Sequence, residues 1–441
     1  MSKTWSVEEH LEDILGTVRP LEPIELQLLD AQGCVLVEDI TVPVALPPFD
    51  NSSMDGYAVR AADTAEASAD SPVALRVVGE VAAGSSELPS LAAGQAVRIM
   101  TGAPLPSGAE AVVPVEWTDG GLGGEPVDAM PTGATGRDVV DGEVRVFRPA
   151  SQGAHVRTRG SDVRPGTVAL TAGTVLGPAQ ISLLAAIGRG SVTVRPRPRV
   201  VVLSTGSELT APGEELGPGR IYDANSFALT AAARAAGALA YRVGAVPDDP
   251  DSLRSTIEDQ LIRADAVVTS GGVSVGAYDV VKEALSGVED GPEDGLGAGG
   301  GVEFRRLAMQ PGKPQGFGVV GPDRTPLLAL PGNPVSAYVS FELFVRPLVR
   351  ALMGCSPVRR AAVTARLSAD APLVSPEGKR QFLRGEYSPP GEGERLGTVR
   401  PVGGAGSHLV AALAQANALI DVPEKTTAVE PGDELSVLPL D

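Results

Sequence analysis

Residues 264–282 read A-D-A-V-V-T-S-G-G-V-S-V-G-A-Y-D-V-V-K. The apolar run at 266–269 predicts a buried strand. Ser270 follows, then Gly271 and Gly272, which let the chain turn sharply and let a ligand approach main-chain N–H groups. A second turn at Gly276 leads into a helical pattern that begins near Tyr278. Strand, glycine turn and helix make half of a βαβ unit. In open α/β sheets such a turn lies at the carboxyl end of the strand, where ligands bind, and helix starts favour anions. Asp279 can face that mouth. The plainer alternative is an ordinary connection with an acid at the helix start, and the rest of the chain decides between the two.

On the amino-terminal side, the continuous apolar run 200–203 has the pattern of a buried parallel strand. It ends in Ser204-Thr205-Gly206-Ser207-Glu208. An alanine-rich helix is expected at 226–236, a strand at 240–246, and a helix at 251–263 opened by Asp248-Asp249-Pro250. On the carboxyl side, a strand at 327–330 runs into Pro331-Gly332-Asn333-Pro334. Asn333 is a good helix N-cap and Pro334 a good first helical residue. The helix extends to about residue 353, with a kink expected at Pro347. Strands alternating with helices imply a mostly parallel sheet covered on both faces.

The flanks read differently. Ser6 and Glu9 form a capping box for a first helix. Residues 35–40 read as one strand. Strand patterns at 75–78, 96–100, 111–113 and 145–147 surround the loop 101–106, and 195–198 is a linker candidate. Past residue 357, alternating runs at 363–367, 380–383, 398–401, 418–422 and 434–438 suggest a small all-β domain. Residues 120–136 and 289–301 read as glycine-rich loops.

Composition bounds the function. The chain has 441 residues, which implies several domains, and a net charge of −19, which argues against binding nucleic acid or anionic membrane. Two unrelated cysteines and three histidines without a motif exclude a patterned zinc site. The polar start and lack of a long apolar span predict a soluble, cytoplasmic protein.

Four α/β turns should share one end of the sheet, and they collect Glu208, Asp248 and Asp279. Carboxylates brought together repel one another, and a hard cation such as Mg²⁺ relieves the repulsion. Taken singly, each acid could be a solvated helix cap.

Seven motifs occur in order: S-S-M-D-G-Y-A (52–58), R-I-M-T-G-A-P-L-P (98–106), R-G-S-D (159–162), S-T-G-S-E-L (204–209), S-G-G-V-S-V-G-A-Y-D (270–279), P-G-K-P (311–314) and L-P-G-N-P-V-S (330–336). They resemble the MoeA/gephyrin family of molybdopterin molybdenumtransferases over nearly the whole chain. The resemblance implies an α/β multidomain fold. Its parts would be an N-terminal linker domain (1–49 and 156–195), an inserted mainly β domain (50–155), a mostly parallel, doubly wound molybdopterin-binding domain (196–353) and a C-terminal β-barrel-like domain (354–441). It further implies an elongated homodimer, with the active site between the α/β domain of one subunit and the N-terminal segments of the other.

The implied reaction takes adenylylated molybdopterin and molybdate and releases AMP. By resemblance, Asp55, Thr101, Asp162, Glu208, Asp248 and Asp279 are functional positions, and Pro331, Pro334 and Ser407 lie near the ligand. Mg²⁺ would be held by Asp279 with Asp248 or Glu208 nearby. Ser204, Thr205, Gly206, Ser270, Gly271 and Gly272 would contact substrate. Molybdate is a dianion, so Lys313, Arg157, Arg159 and the helix start at Pro334 are its candidate seats. Gln310 stands where many members carry lysine. Two rival readings are a molybdopterin adenylyltransferase and a non-catalytic cofactor carrier or scaffold.

Overall fold

The computed structural model describes residues 3–131, 142–273, 280–285 and 300–440. Gly276, Tyr278, Asp279 and parts of both expected loops (132–136, 289–299) lie outside the described residues. The chain divides into two compact units. One comprises residues 1–37, 173–177 and 192–441, the other 38–172 and 178–191.

Among the described residues, the first unit is built on a seven-stranded sheet. Its strands are β1 (Thr4–Trp5), β2 (Arg199–Thr205), β3 (Leu239–Val246), β4 (Ala266–Ser270), β5 (Val302–Leu307), β6 (Pro314–Val320) and β7 (Thr325–Leu330), in spatial order β1-β5-β6-β7-β4-β2-β3. Pairings β2–β3, β2–β4, β4–β7 and β1–β5 are parallel; only β6 runs against its neighbours. The apolar run of β2 is explained by its two faces. Val200 and Val202 enter a core with Leu229 and Ala233 of helix α2 (Asn225–Ala235). Val201 and Leu203 enter an opposite core with Leu253 and Ile257 of α3 (Pro250–Leu261) and Val281 of α4 (Val280–Leu285). Period-two side chains on a sheet covered twice leave no polar face.

The first helix, α1 (Val7–Thr17), carries the expected capping box: Ser6 accepts from the Glu9 N–H and Glu9 accepts from the Ser6 N–H. After β7 the chain forms one long helical rod of Pro334–Ser340, a π turn at Phe341–Val345, and Arg346–Leu352. The expected kink at Pro347 thus takes the form of a π turn just before it. Proline lacks an N–H and crowds the carbonyl four residues back, and the wider turn gives that carbonyl room.

The carboxyl-terminal strands are β8 (Val363–Leu367), β9 (Arg380–Ser388), β10 (Gly397–Pro401), β11 (Ala418–Val422) and β12 (Glu434–Pro439). They pair in the ring β9-β10-β8-β12-β11 and back to β9, a closed barrel without free edges.

The second unit carries a five-stranded sheet in the order Glu143–Val146, Val73–Val81, Gln95–Ile99, Gly56–Val59, Ala111–Pro114. The single strand expected at 35–40 is instead two, Val35–Leu36 and Ile40–Thr41, one in each unit. Asp39 explains the break, since its carboxylate accepts from the Ala172 N–H (2.8 Å). Among the described residues no helix is long and apolar enough to cross a membrane.

Candidate active site

Because β3, β2, β4 and β7 are parallel, their carboxyl ends open at one edge of the sheet. The turns there wall a cleft of about 800 Å³. Ser204, Thr205, Gly206 and Glu208 line it from β2, Asp248 from β3, Ser270, Gly271 and Gly272 from β4, and Pro331 and Pro334 from β7. The predicted convergence of four turns is therefore present. Glycine is required at 271. Its φ is +104°, and a Cβ there would stand 2.5 Å from the Thr205 carbonyl oxygen. Its N–H donates to the Leu330 carbonyl (3.1 Å), which ties the β4 turn to the β7 turn.

The acids separate by role. Asp249 is a helix cap: it accepts from the Ser252 N–H (2.8 Å), and the Ser252 side chain and backbone hold its carboxyl below the usual range. Asp248 instead turns toward the β2 loop, accepting from the Ser207 N–H (2.9 Å) while its own N–H donates to the Ser207 hydroxyl (3.1 Å). Glu208 lies next to that pair, its carboxylate folded over Gly206, where a Cβ would come within 2.6 Å of Oε2. Asp279 lies outside the described residues, and among the described residues no three His, Cys, Asp or Glu side chains stand together as a metal set.

Asn333 occupies the expected cap position, but its side chain makes no capping bond; its carbonyl accepts from Ala337 N–H (2.9 Å) and Asn225 secures the turn through the Gly332 carbonyl (2.7 Å). Lys313 is exposed beside Pro314, which lines the cleft. Gln310 is half-buried in a short strand, Met309–Gln310, paired with β9. The Ser407 carbonyl accepts from the Val335 N–H (3.0 Å), and His408 next to it lines the cleft.

Three residues escaped the sequence reading. Asp223, only 2% exposed, lines the cleft floor and accepts from the Ser204 hydroxyl (2.9 Å), the Ser226 N–H (3.0 Å) and the Ser226 hydroxyl. In Y-D-A-N-S it looks like a helix-start acid, which it also is. His408 had no motif. Arg384 is 2% exposed, with Nε unpartnered and Nη2 donating to the Gly404 carbonyl. Burial lowers its pKa from the usual arginine value. A lone arginine in an apolar strand carries no pattern that sequence could reveal.

The second unit gathers the other predicted residues. The Asp55 carboxylate accepts from both the Thr101 N–H (2.7 Å) and hydroxyl (2.9 Å). Loop 101–105 runs along residues 50–52, with Gly102 N–H donating to Ser52 O (2.8 Å) and Leu105 N–H to Asp50 O (2.9 Å). Val156–Arg157 pairs with Asn51–Ser52, and Asp50 accepts from the Arg159 N–H (2.6 Å). Arg157 and Arg159 are exposed and form no ion pair among the described residues; Asp162 is exposed on the same segment. Three motifs distant in sequence thus make one patch.

A doubly wound α/β layer with a strand-end cleft, a closed barrel and a separate β-rich unit define a multidomain protein with a cleft large enough for a small-molecule ligand. Family models match in sequence order: the MoeA N-terminal region (domain I and II) at 5–188, a probable molybdopterin binding domain at 201–351, and the MoeA C-terminal region (domain IV) at 366–440. The chain is 44% identical over 432 residues to molybdopterin molybdenumtransferase 2 of Mycobacterium tuberculosis, with 98% of each chain covered. It is 35% identical over 411 residues to the molybdopterin molybdenumtransferase of Bacillus subtilis, covering 93% of this chain and 88% of that one. A solved molybdopterin biosynthesis MoeA protein from Pyrococcus horikosii superposes with a TM-score of 0.71 at 33% identity, covering 100% of both chains. The chain belongs to the MoeA family of molybdopterin molybdenumtransferases.

Proposed function

We propose that this chain transfers molybdenum from molybdate to adenylylated molybdopterin and releases AMP, a step of molybdenum cofactor biosynthesis. The observation that carries the reading is the strand-end cleft, where Glu208 and Asp248 meet glycine turns. The end-to-end match to relatives named for that transfer supports it.

Glu208 and Asp248 offer hard oxygen donors on neighbouring turns, the donor chemistry that Mg²⁺ takes. The ion, when bound, would neutralise charge on the pyrophosphate under cleavage. Ser207 holds Asp248 in place through two hydrogen bonds, so that carboxylate is oriented in advance. Molybdate needs cations or N–H donors. Lys313, Arg157 and Arg159 are exposed cations available for that charge.

The Asp55–Thr101 patch belongs to the same proposal through a homodimer, in which a second copy of the chain supplies it. A cytoplasmic location, consistent with two free buried cysteines, is also part of the proposal.

The test incubates the full chain with adenylylated molybdopterin, molybdate and Mg²⁺ and measures AMP release. Molybdate-dependent AMP is expected. Rapid conversion of ATP and molybdopterin to the adenylate would replace this reading with the adenylyltransferase, and no turnover in either direction would leave a carrier. Mixing Asp55→Asn and Asp248→Asn chains should restore part of the activity that each lacks alone; no restoration would remove the dimeric assignment.

A further inference from the structure

We propose that Gln315 and Ser340 are positioning residues for Lys313: together they lock the turn that carries this cation against the helical rod, so that its ammonium is held at the edge of the cleft for an oxyanion. The inference rests on the reading that the cleft takes adenylylated molybdopterin and molybdate, and it names the residues that keep one of its cations in place. The oxyanion is molybdate or the pyrophosphate of the adenylylated ligand, which the test separates.

Residues 308–313 join β5 to β6, and loops between strands are ordinarily the mobile parts of a fold. This one is fastened on three sides. Met309–Gln310 pairs with Arg380–Gln381 of β9 in the barrel. The Lys313 carbonyl accepts from the Leu307 N–H (2.8 Å). Gln315 holds the third side: its Nε2 donates to the Gly312 carbonyl (2.7 Å) and to the Ser340 hydroxyl oxygen (2.6 Å). A side-chain amide has two N–H protons, and both are spent on this junction. Gln315 is 1% exposed and Ser340 is fully buried, so water does not compete for these bonds.

The place of Gln315 in its strand makes its polarity informative. Phe317, two residues on, lies on the same face of β6 and enters the core with Phe341 and Phe344 of the rod. That face suits apolar side chains, and an amide is tolerated there only when hydrogen-bonded. The bonds it makes go to the turn and the rod. Gly312 completes the seat: its φ is +98°, and a Cβ would stand 2.9 Å from the Ser340 Oγ and 3.0 Å from the Met309 Cε, so only glycine lets the turn lie this close. Ser336, one helical turn before Ser340, lines the cleft, as does Pro314. Between Gly312 and Pro314 stands Lys313, exposed and without an ion pair among the described residues. With Gln310 neutral, it is the one charged residue of 308–313. A cation whose main chain is fixed in advance loses less freedom on meeting an anion.

The test is steady-state AMP release by the full chain, with molybdate and adenylylated molybdopterin varied in turn, over a double-mutant cycle of Gln315→Met and Lys313→Ala. Gln315→Met keeps the side chain's length and removes both donors. It should raise the KM of one substrate about tenfold with kcat within about twofold, and Lys313→Ala should raise the KM of the same substrate. A rise for molybdate assigns Lys313 to molybdate; a rise for adenylylated molybdopterin assigns it to the pyrophosphate. In the Lys313→Ala background, Gln315→Met should change that KM by less than about twofold, because the cation it positions is gone. A merely structural role would act equally in both backgrounds. If Gln315→Met fails to fold, judged by thermal melting, Ser340→Ala takes its place in the cycle, with an expected rise of about threefold for the loss of one of the two bonds. Equal effects with and without Lys313, or an unchanged KM, overturn the positioning role and leave the proposed reaction standing. Absence of molybdate-dependent AMP release from the unaltered chain overturns the proposed reaction and this role with it.

Discussion

His10 sits on the inner face of the first helix, 1% exposed, with ring centroids 4.8 Å from Phe344 and 6.3 Å from Phe317. Burial, and then the adjacent Arg305 charge, lower its pKa from 6.5 to about 3, against a small opposing pull from Asp13. The docked helix therefore holds neutral histidine, and the undocked helix regains the ordinary value. Between those two values the undocked state binds a proton that the docked state does not, so docking weakens as pH falls below 6.5. At about pH 5 the loss is about 2 kcal/mol, or roughly 30-fold less protection of the helix. Amide hydrogen exchange over Val7–Thr17, corrected for intrinsic rates, reads this locally without assuming two-state unfolding of the chain. His10→Gln should remove the extra pH dependence. Equal loss of protection in wild type and His10→Gln would refute the reasoning.

Arg380 pairs with Asp421 (2.7 Å), a carboxylate only 5% exposed, and with Glu8. Arg380→Ala strands Asp421 and should cost about 3 kcal/mol in urea denaturation; an unchanged midpoint would show the pair to be solvated. Gly271→Ala adds a Cβ 2.5 Å from the Thr205 carbonyl in a positive-φ turn. Binding of AMP and of pterin should both fall below detection while the barrel strands keep their exchange protection. Asp55→Ala releases the Thr101 turn, and AMP release should drop about a hundredfold if that turn positions substrate; a drop matched by lost thermal stability would assign it a structural role instead.

Local rules carried much of the fold. The Ser6–Glu9 capping box, the Asp249-Pro250 helix start and the apolar β2 and β4 runs each rest on contacts within a few residues, so their signals survive in one dimension. The five carboxyl-terminal strands were legible by alternation, but their closure into a barrel was not, since register depends on partners far along the chain. The expected strand at 35–40 failed because Asp39 answers to Ala172, which no local pattern reveals.

The same division runs through the site. Sequence alone determined which residue types sit at the strand ends, because glycine turns, hydroxyls and helix-start acids are local requirements of a doubly wound sheet. Only tertiary structure decided what those groups do. Asp248 and Asp249 are adjacent in the chain, yet one caps a helix and the other reaches across to Ser207. The contacts that join Ser270, Ser204 and Asp223 exist only once three separate segments are packed together. A hydrogen bond needs both partners in place at once, and no residue read in isolation shows where its partner comes from.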